Sequence, residues 1–182
     1  MLHRQKIELI LINLVCGGAV LASYGYGLTA DGTSAKALWG NVPEGLIPLY
    51  TASMITAAIG YLLFTFFILF KVNPDEAIIA GRYRHRLFHV LYGAILAPSA
   101  LWMPLTVAMV REPSPGLWIA IRLVLAVVGL GSIGIIAALM LTRPRLGSWA
   151  FRLAVAGAAA FAIQTALLDA LVWTAYFPFS LW

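Results

Sequence analysis

Cysteine and charge are both scarce in this chain. Cys16 is the single cysteine, and only 10% of the 182 residues are charged. A lone cysteine forms no intrachain disulfide, which excludes the small disulfide-stabilised domains and also a cysteine-rich metal site. No polar segment is long enough to fold as a separate nucleotide-binding or catalytic domain. Any chemistry must therefore take place in or beside a membrane.

Hydrophobic residues make up 62% of the chain, a share outside the range of soluble domains. We therefore predict an all-α, multi-pass integral membrane protein in which residues 1–182 form a single transmembrane domain. A helix that crosses a bilayer needs about 20 largely apolar residues. The stretches that meet this length are 8–28, 47–70, 87–110, 117–141 and 149–177. The sequence thus predicts a bundle of five transmembrane helices.

Lysine and arginine alternate between the connections of these spans. The chain start and the second and fourth connections are rich in basic residues, whereas the first and third have only Lys36 and Arg111. Basic connections face the cytoplasm in most membrane proteins. We therefore predict a cytoplasmic N-terminus and a C-terminus on the outer side. The net charge of +5 is a topology signal in this interpretation, and we expect no nucleic-acid partner.

The second connection carries the signals of a helix start. Asn73 suits the N-cap, Pro74 suits the first helical position, and two acidic residues follow them. This pattern predicts a cytoplasmic helical extension over about 74–86. His85 and His89 are four residues apart and would share a helix face, but no acidic residue accompanies them at ligand spacing. We expect neither a metal nor another cofactor.

Three arginines in this connection approach the membrane at alternate positions. Arg82, Arg84 and Arg86 are predicted to bind anionic lipid head groups, each contributing about 1 kcal/mol. The alternative is that they serve only to orient the protein.

In the third span, Pro98 and Pro104 predict a bent helix, because each proline removes a backbone donor and crowds the preceding turn. A bend would open space between neighbouring helices.

Two charges lie well inside the predicted spans, away from their cytoplasmic ends, where an unpaired charge is costly. Arg122 stands near the start of the fourth span, and Asp169 stands about eight residues, roughly 12 Å, before the end of the fifth. Both fall in the outer third of the membrane, so they are placed to form an ion pair. Alternatively, Arg122 extends outward past Trp118, while Asp169 is protonated or bound to a hydroxyl group.

Aromatic residues accumulate at the same outer end, which is therefore the place where we expect a ligand. For Trp102 the alternative is an ordinary packing role. The predicted ligand-binding residues are Asp169, Arg122, Trp102, Tyr24, Tyr26, Tyr50 and Glu44.

Three function classes agree with these features. The first is a membrane-embedded binder or carrier of a small amphipathic or lipid-like molecule, with membrane lipids as its other partners. The second is an accessory subunit or homo-oligomer, because alanines recur every four residues from Ala150 to Ala170 and permit close helix contact. The third is an intramembrane isomerase or cyclase that uses Asp169 as its acid.

Overall fold

The computed structural model describes residues 3–30, 34–144, 147–177 and 179, and it is almost entirely helical. The helices are α1 (Arg4–Thr29), α2 (Ala35–Trp39), α3 (Ile47–Phe70), α4 (Arg86–Arg111), α5 (Pro115–Leu141) and α6 (Trp149–Ala162). A 3-10 turn, Glu44–Leu46, leads into α3, and a π-helix, Ile163–Trp173, continues α6 to a last helical turn, Thr174–Tyr176. We call the whole stretch Trp149–Tyr176 the fifth span.

Five of these helical stretches are long and apolar enough to cross a membrane, which confirms the number predicted from hydropathy and indicates a multi-pass membrane protein. They are Arg4–Thr29, Glu44–Phe70, Arg86–Arg111, Pro115–Leu141 and Trp149–Tyr176. Helix α4 runs without a break through Pro98 and Pro104. The bend expected at these prolines, and the orientation of the termini, stay predictions.

The helices pack in the order α1, α4, α5, fifth span and α3. The contact between α3 and α6 is especially close, because Gly60 and Gly157 face each other there. A Cβ atom on Gly157 would lie 2.7 Å from the carbonyl oxygen of Gly60. Glycine is therefore required for these two backbones to meet, as in other close helix contacts in membranes.

Aromatic side chains fill the space between α3, α4 and α6. Tyr61, Phe64, Tyr92 and Phe161 contact one another mostly edge to face, with ring centroids 5.2 to 6.0 Å apart. The buried hydroxyl groups of Thr65 and Tyr92 form a hydrogen bond of 2.7 Å. This bond removes the cost of leaving two polar groups unpaired inside an apolar core.

The predicted helical extension over 74–86 is wrong. After a single turn that ends with a hydrogen bond from the Ala77 amide to the Asn73 carbonyl, the chain forms a short strand, β1 (Ile78–Ile79). This strand pairs antiparallel with β2 (Thr142–Arg143), which follows α5. The strand pairing satisfies backbone groups that a helix would have satisfied, so the signals at Asn73 start only one turn.

Backbone conformation also stops a helix in this connection. Ala80 and Gly81 have φ angles of +50° and +73°, in the left-handed region that a right-handed helix does not contain. Helix α4 then begins at Arg86, one residue before the predicted start of the third span. We call the end of the bundle that carries 71–85, 142–144 and 147–148, together with the adjacent ends of α1, α3, α5 and α6, the basic end.

Candidate functional site

The fifth span begins as an α-helix and continues as a π-helix. Over Ile163–Trp173 the backbone is a π-helix, in which hydrogen bonds join residues five apart. Such helices are rare, usually a single turn long, and frequently lie at functional sites. This one brings Gln164 and Asp169, which are five residues apart, onto the same face. The Gln164 Nε2 atom donates a hydrogen bond of 2.7 Å to Asp169 Oδ1.

Gln164 donates a hydrogen bond to the Asp169 carboxylate, but the carbonyl oxygen of its own side chain accepts none from the described residues. Its side chain is 5% exposed, and its Oε1 atom is buried with no hydrogen-bond partner in the part of the chain that the structure describes. Asp169 retains partial exposure and accepts no other hydrogen bond from the described residues. Buried polar atoms without partners are rare in folded proteins. The pair therefore presents acceptor oxygens without protein donors.

A hydrogen bond from Tyr50 joins α3 to the π-helix that carries Asp169. Its ring is 2% exposed, and its hydroxyl group donates a hydrogen bond of 3.1 Å to the carbonyl oxygen of Leu168, the residue before Asp169. The Tyr50 ring also packs edge to face on Trp39, with centroids 5.5 Å apart. This hydrogen bond joins α3 to the π-helix beside the carboxylate.

Three more aromatic rings contact one another in a series that runs from α1 through α4 to the fifth span. The ring of Trp102 lies 5.7 Å from Tyr24 and 5.6 Å from Trp173, measured between centroids. Trp173 donates a hydrogen bond of 3.2 Å to the carbonyl oxygen of Leu38, whereas the Trp102 Nε1 atom is buried and has no partner among the described residues. The Trp102 indole is thus a buried donor without a partner among the described residues, and its role in binding stays a prediction.

These rings adjoin the helix segment that carries the carboxylate. Trp102 contacts Trp173, which belongs to the same π-helix as Asp169, and Tyr50 donates a hydrogen bond to the residue before Asp169. The resulting group of side chains comes from α1, α3, α4 and the fifth span, and we call it the Asp169 cluster. Its members are Tyr24, Tyr50, Trp102, Gln164, Asp169 and Trp173.

Arg122 does not pair with Asp169, contrary to the ion pair considered from the sequence. Its Nη2 atom donates hydrogen bonds to the carbonyl oxygens of Thr174, at 2.7 Å, and Phe177, at 3.1 Å. The guanidinium also lies 3.5 Å from the ring centroid of Trp118. The last carbonyls of a helix lack partners within it and carry partial negative charge. Arg122 therefore caps the end of the fifth span and belongs to its structural support.

Tyr26 and Glu44 also lie outside the cluster, although we predicted both as ligand-binding residues. Tyr26 is 47% exposed on α1, two residues from Tyr24 and hence on a different face of the helix. Glu44 forms a 3.2 Å ion pair with Lys36, in which both side chains are more than 80% exposed. Such an exposed pair contributes little to stability or to a binding site.

Gln164 and Trp173 belong to the cluster but were not predicted as ligand-binding residues. A glutamine in the middle of an apolar stretch was a usable signal, because polar side chains within spans are costly. Its pairing with Asp169 could not be predicted from α-helical periodicity. Residues five apart point in different directions on an α-helix but in similar directions on a π-helix. Trp173 gave only the signal of an interfacial aromatic.

The basic end holds the remaining candidates. Arg82, Arg84 and Arg86 are all exposed, and their role in binding lipid head groups stays a prediction. His85 is fully buried, and burial lowers its pKa to about 4. Its ring lies 5.6 Å from that of His89, whose Nε2 atom is 2.9 Å from the Gln5 carbonyl oxygen. The described residues contain no group of three or more potential metal ligands.

Two surface grooves, of about 630 and 540 Å³, also lie at the basic end rather than beside Asp169. The larger is lined by residues of α5 and α6, and the smaller by α1 and the 70–75 segment. Neither contains a residue of the Asp169 cluster, in which Tyr24, Trp102 and Asp169 are partly exposed. No protein-family model, curated protein or solved structure matches this chain.

Proposed function

We propose that this protein binds a small amphipathic molecule within the membrane, at the Asp169 cluster. The observation that carries the proposal is the pair of unused polar groups there, the Trp102 indole N–H and the Gln164 carbonyl oxygen. Each costs free energy while it has no partner. A ligand with both a donor and an acceptor would supply those partners, so its polar group belongs at this cluster.

The surroundings of the cluster favour an apolar body for the same ligand. The partly exposed rings of Tyr24 and Trp102 offer apolar surface, and the exposed faces of the helices are hydrophobic along their length. Binding sites for small molecules combine such surface with a few polar groups that fix orientation. A molecule with a polar head and a hydrocarbon portion fits this combination, either as a bound ligand or as a carried substrate.

We also propose the orientation that follows from the basic residues. The positively charged connections would face the cytoplasm, and the Asp169 cluster would then lie in the outer half of the membrane. Reporter fusions at the two termini test this, with the N-terminal reporter cytoplasmic and the C-terminal reporter outside. Both reporters on one side of the membrane would remove the proposed orientation without affecting the proposed site.

The binding proposal is tested by the molecules that copurify with the protein. Wild type is extracted in mild detergent, and bound molecules are identified by liquid chromatography and mass spectrometry. We expect a stoichiometric amphipathic molecule that is reduced roughly 10-fold or more in Gln164→Leu. Trp149→Leu is the matched control, since Trp149 is 75% exposed at the basic end and should retain the molecule. The same molecules in wild type and Gln164→Leu would overturn the proposal.

A further inference from the structure

The charge balance of the Asp169 cluster points to a particular class of ligand. Throughout residues 3–30, 34–144, 147–177 and 179, no cationic side chain lies within ion-pair distance of Asp169. Arg122, the cation in the neighbouring α5, donates instead to the carbonyl oxygens of Thr174 and Phe177. A carboxylate in a membrane-spanning segment needs a partner, since isolated charges there are costly. The described residues provide a hydrogen bond from Gln164 but no cation.

The groups around this carboxylate suit a cation better than an anion. The Gln164 Oε1 atom is buried without a partner, and the Asp169 oxygens accept from no donor other than Gln164 Nε2 within the part of the chain that the structure describes. These are acceptors, so they match N–H donors on a ligand. An anionic head group would meet the negative charge of Asp169 at close range and would be repelled.

Aromatic faces add a second attraction for positive charge. Tyr24, Trp102 and Trp173 form a continuous series of tilted and edge-to-face rings, with centroids 5.7 and 5.6 Å apart. Aromatic rings attract ammonium groups through the negative potential of their faces, and tryptophan does so most strongly. Aromatic side chains recognise organic ammonium ions in this way in other binding sites.

We propose that the ligand is a lipophilic amine in its protonated, ammonium form. This inference rests on the proposed function and specifies its ligand class. The ammonium N–H groups donate to Asp169 and to Gln164 Oε1, and the charge lies against the rings of Tyr24 and Trp102. The Trp102 N–H donates a hydrogen bond to an oxygen of the ligand or, where the ligand has none, to a water molecule. The hydrocarbon portion lies along the apolar helix faces.

The proposal is tested with three probes that share one hydrocarbon chain: octylamine, octanol and octanoate. The protein is reconstituted in nanodiscs of phosphatidylcholine, which carries no net charge, and binding is measured by titration calorimetry against empty nanodiscs. We expect wild type to bind octylamine at least about 10-fold more tightly than octanol, because an ammonium–carboxylate bond is charge-assisted. Octanoate should bind more weakly than octanol.

Variants assign the selectivity to Asp169. Asp169→Asn should lower the affinity for octylamine to about that for octanol, whereas Asp75→Asn should leave it unchanged. Asp75 is the control because its side chain is 73% exposed at the basic end. Equal binding of octylamine and octanol by wild type would overturn the amine inference and leave the proposed function standing. Binding of none of the three probes would overturn both, and these wild-type comparisons decide the matter even if Asp169→Asn fails to fold.

Discussion

Replacing Arg122 tests how a guanidinium group inside a predicted span is stabilised. In the structure it donates two hydrogen bonds to carbonyl oxygens at the end of the fifth span and lies 3.5 Å from the centroid of the Trp118 ring. A hydrogen bond from a charged group contributes about 1.5–3 kcal/mol, and a cation–π contact about 0.5–1 kcal/mol. Removing the charge also removes its cost in the membrane, about 2.5–3.5 kcal/mol. At the middle of these ranges we therefore expect Arg122→Leu to lower the free energy of unfolding by about 2 kcal/mol.

The assay is unfolding by sodium dodecyl sulfate in mixed micelles, followed by far-ultraviolet circular dichroism. Arg122→Lys should lie between wild type and Arg122→Leu, since an ammonium group keeps the charge but lacks the planar set of donors. Arg152→Leu is the control, because Arg152 is exposed near the start of α6, and its effect should stay within about 0.5 kcal/mol. Arg122→Leu with wild-type stability would refute the capping role.

A double-mutant cycle then distinguishes capping from pairing. The structure bonds Asp169 to Gln164, so Gln164→Leu and Asp169→Leu should be coupled by about 1–3 kcal/mol. Arg122 and Asp169 share no hydrogen bond, and their leucine variants should be additive within about 0.5 kcal/mol. A stronger coupling of Asp169 to Arg122 than to Gln164 would refute the assignment of partners and restore the ion pair.

Three further predictions concern other parts of the bundle. Burial lowers the pKa of His85 to about 4 from 6.5, so the unfolded chain binds a proton first, and wild type should lose stability as the pH falls from 6.5 towards 4. His85→Leu should weaken that dependence in thermal melts, and an unchanged pH profile would contradict it. Gly157→Ala should cost about 1–3 kcal/mol in detergent unfolding through its clash with α3, whereas Gly17→Ala, with open space around it, should not destabilise; equal effects would contradict the close contact. Thr165→Val should cost about 0.5–1.5 kcal/mol in the same assay by removing its 2.8 Å hydrogen bond to Ser132, and a neutral result would mean that this bond adds nothing.

The connection before α4 illustrates where local signals failed. Asn73 and Pro74 are good helix-start residues, and the structure does contain a turn there, closed by the Ala77 amide. The helix stops because Ala80 and Gly81 adopt left-handed conformations and β1 finds a partner strand after α5. That partner is more than sixty positions away along the chain, so no window of local sequence contains it.

The candidate site was only partly predictable for a similar reason. Tyr24, Tyr50, Trp102 and Asp169 were predicted as ligand-binding residues because polar and aromatic residues stand out in apolar spans, and the structure places all four in the Asp169 cluster. Tyr26 lies outside the cluster, because a residue count locates depth in the membrane but gives no information on which face of α1 is covered. Packing against α4 decides that.

The sequence by itself determined the class of this protein and the number of its long apolar helices, because a bilayer-length hydrophobic run is a property of consecutive residues. It also determined the approximate ends of those helices, because the apolar runs stop where polar and charged residues begin. The tertiary structure decided the partners. Gln164 bonds to Asp169 because the backbone there is a π-helix. Arg122 bonds to carbonyl oxygens at the end of the fifth span instead of Asp169, which is a contact between distant segments. Such contacts form only when the helices pack, since a side chain's partner is chosen by distance in space and not by distance along the chain.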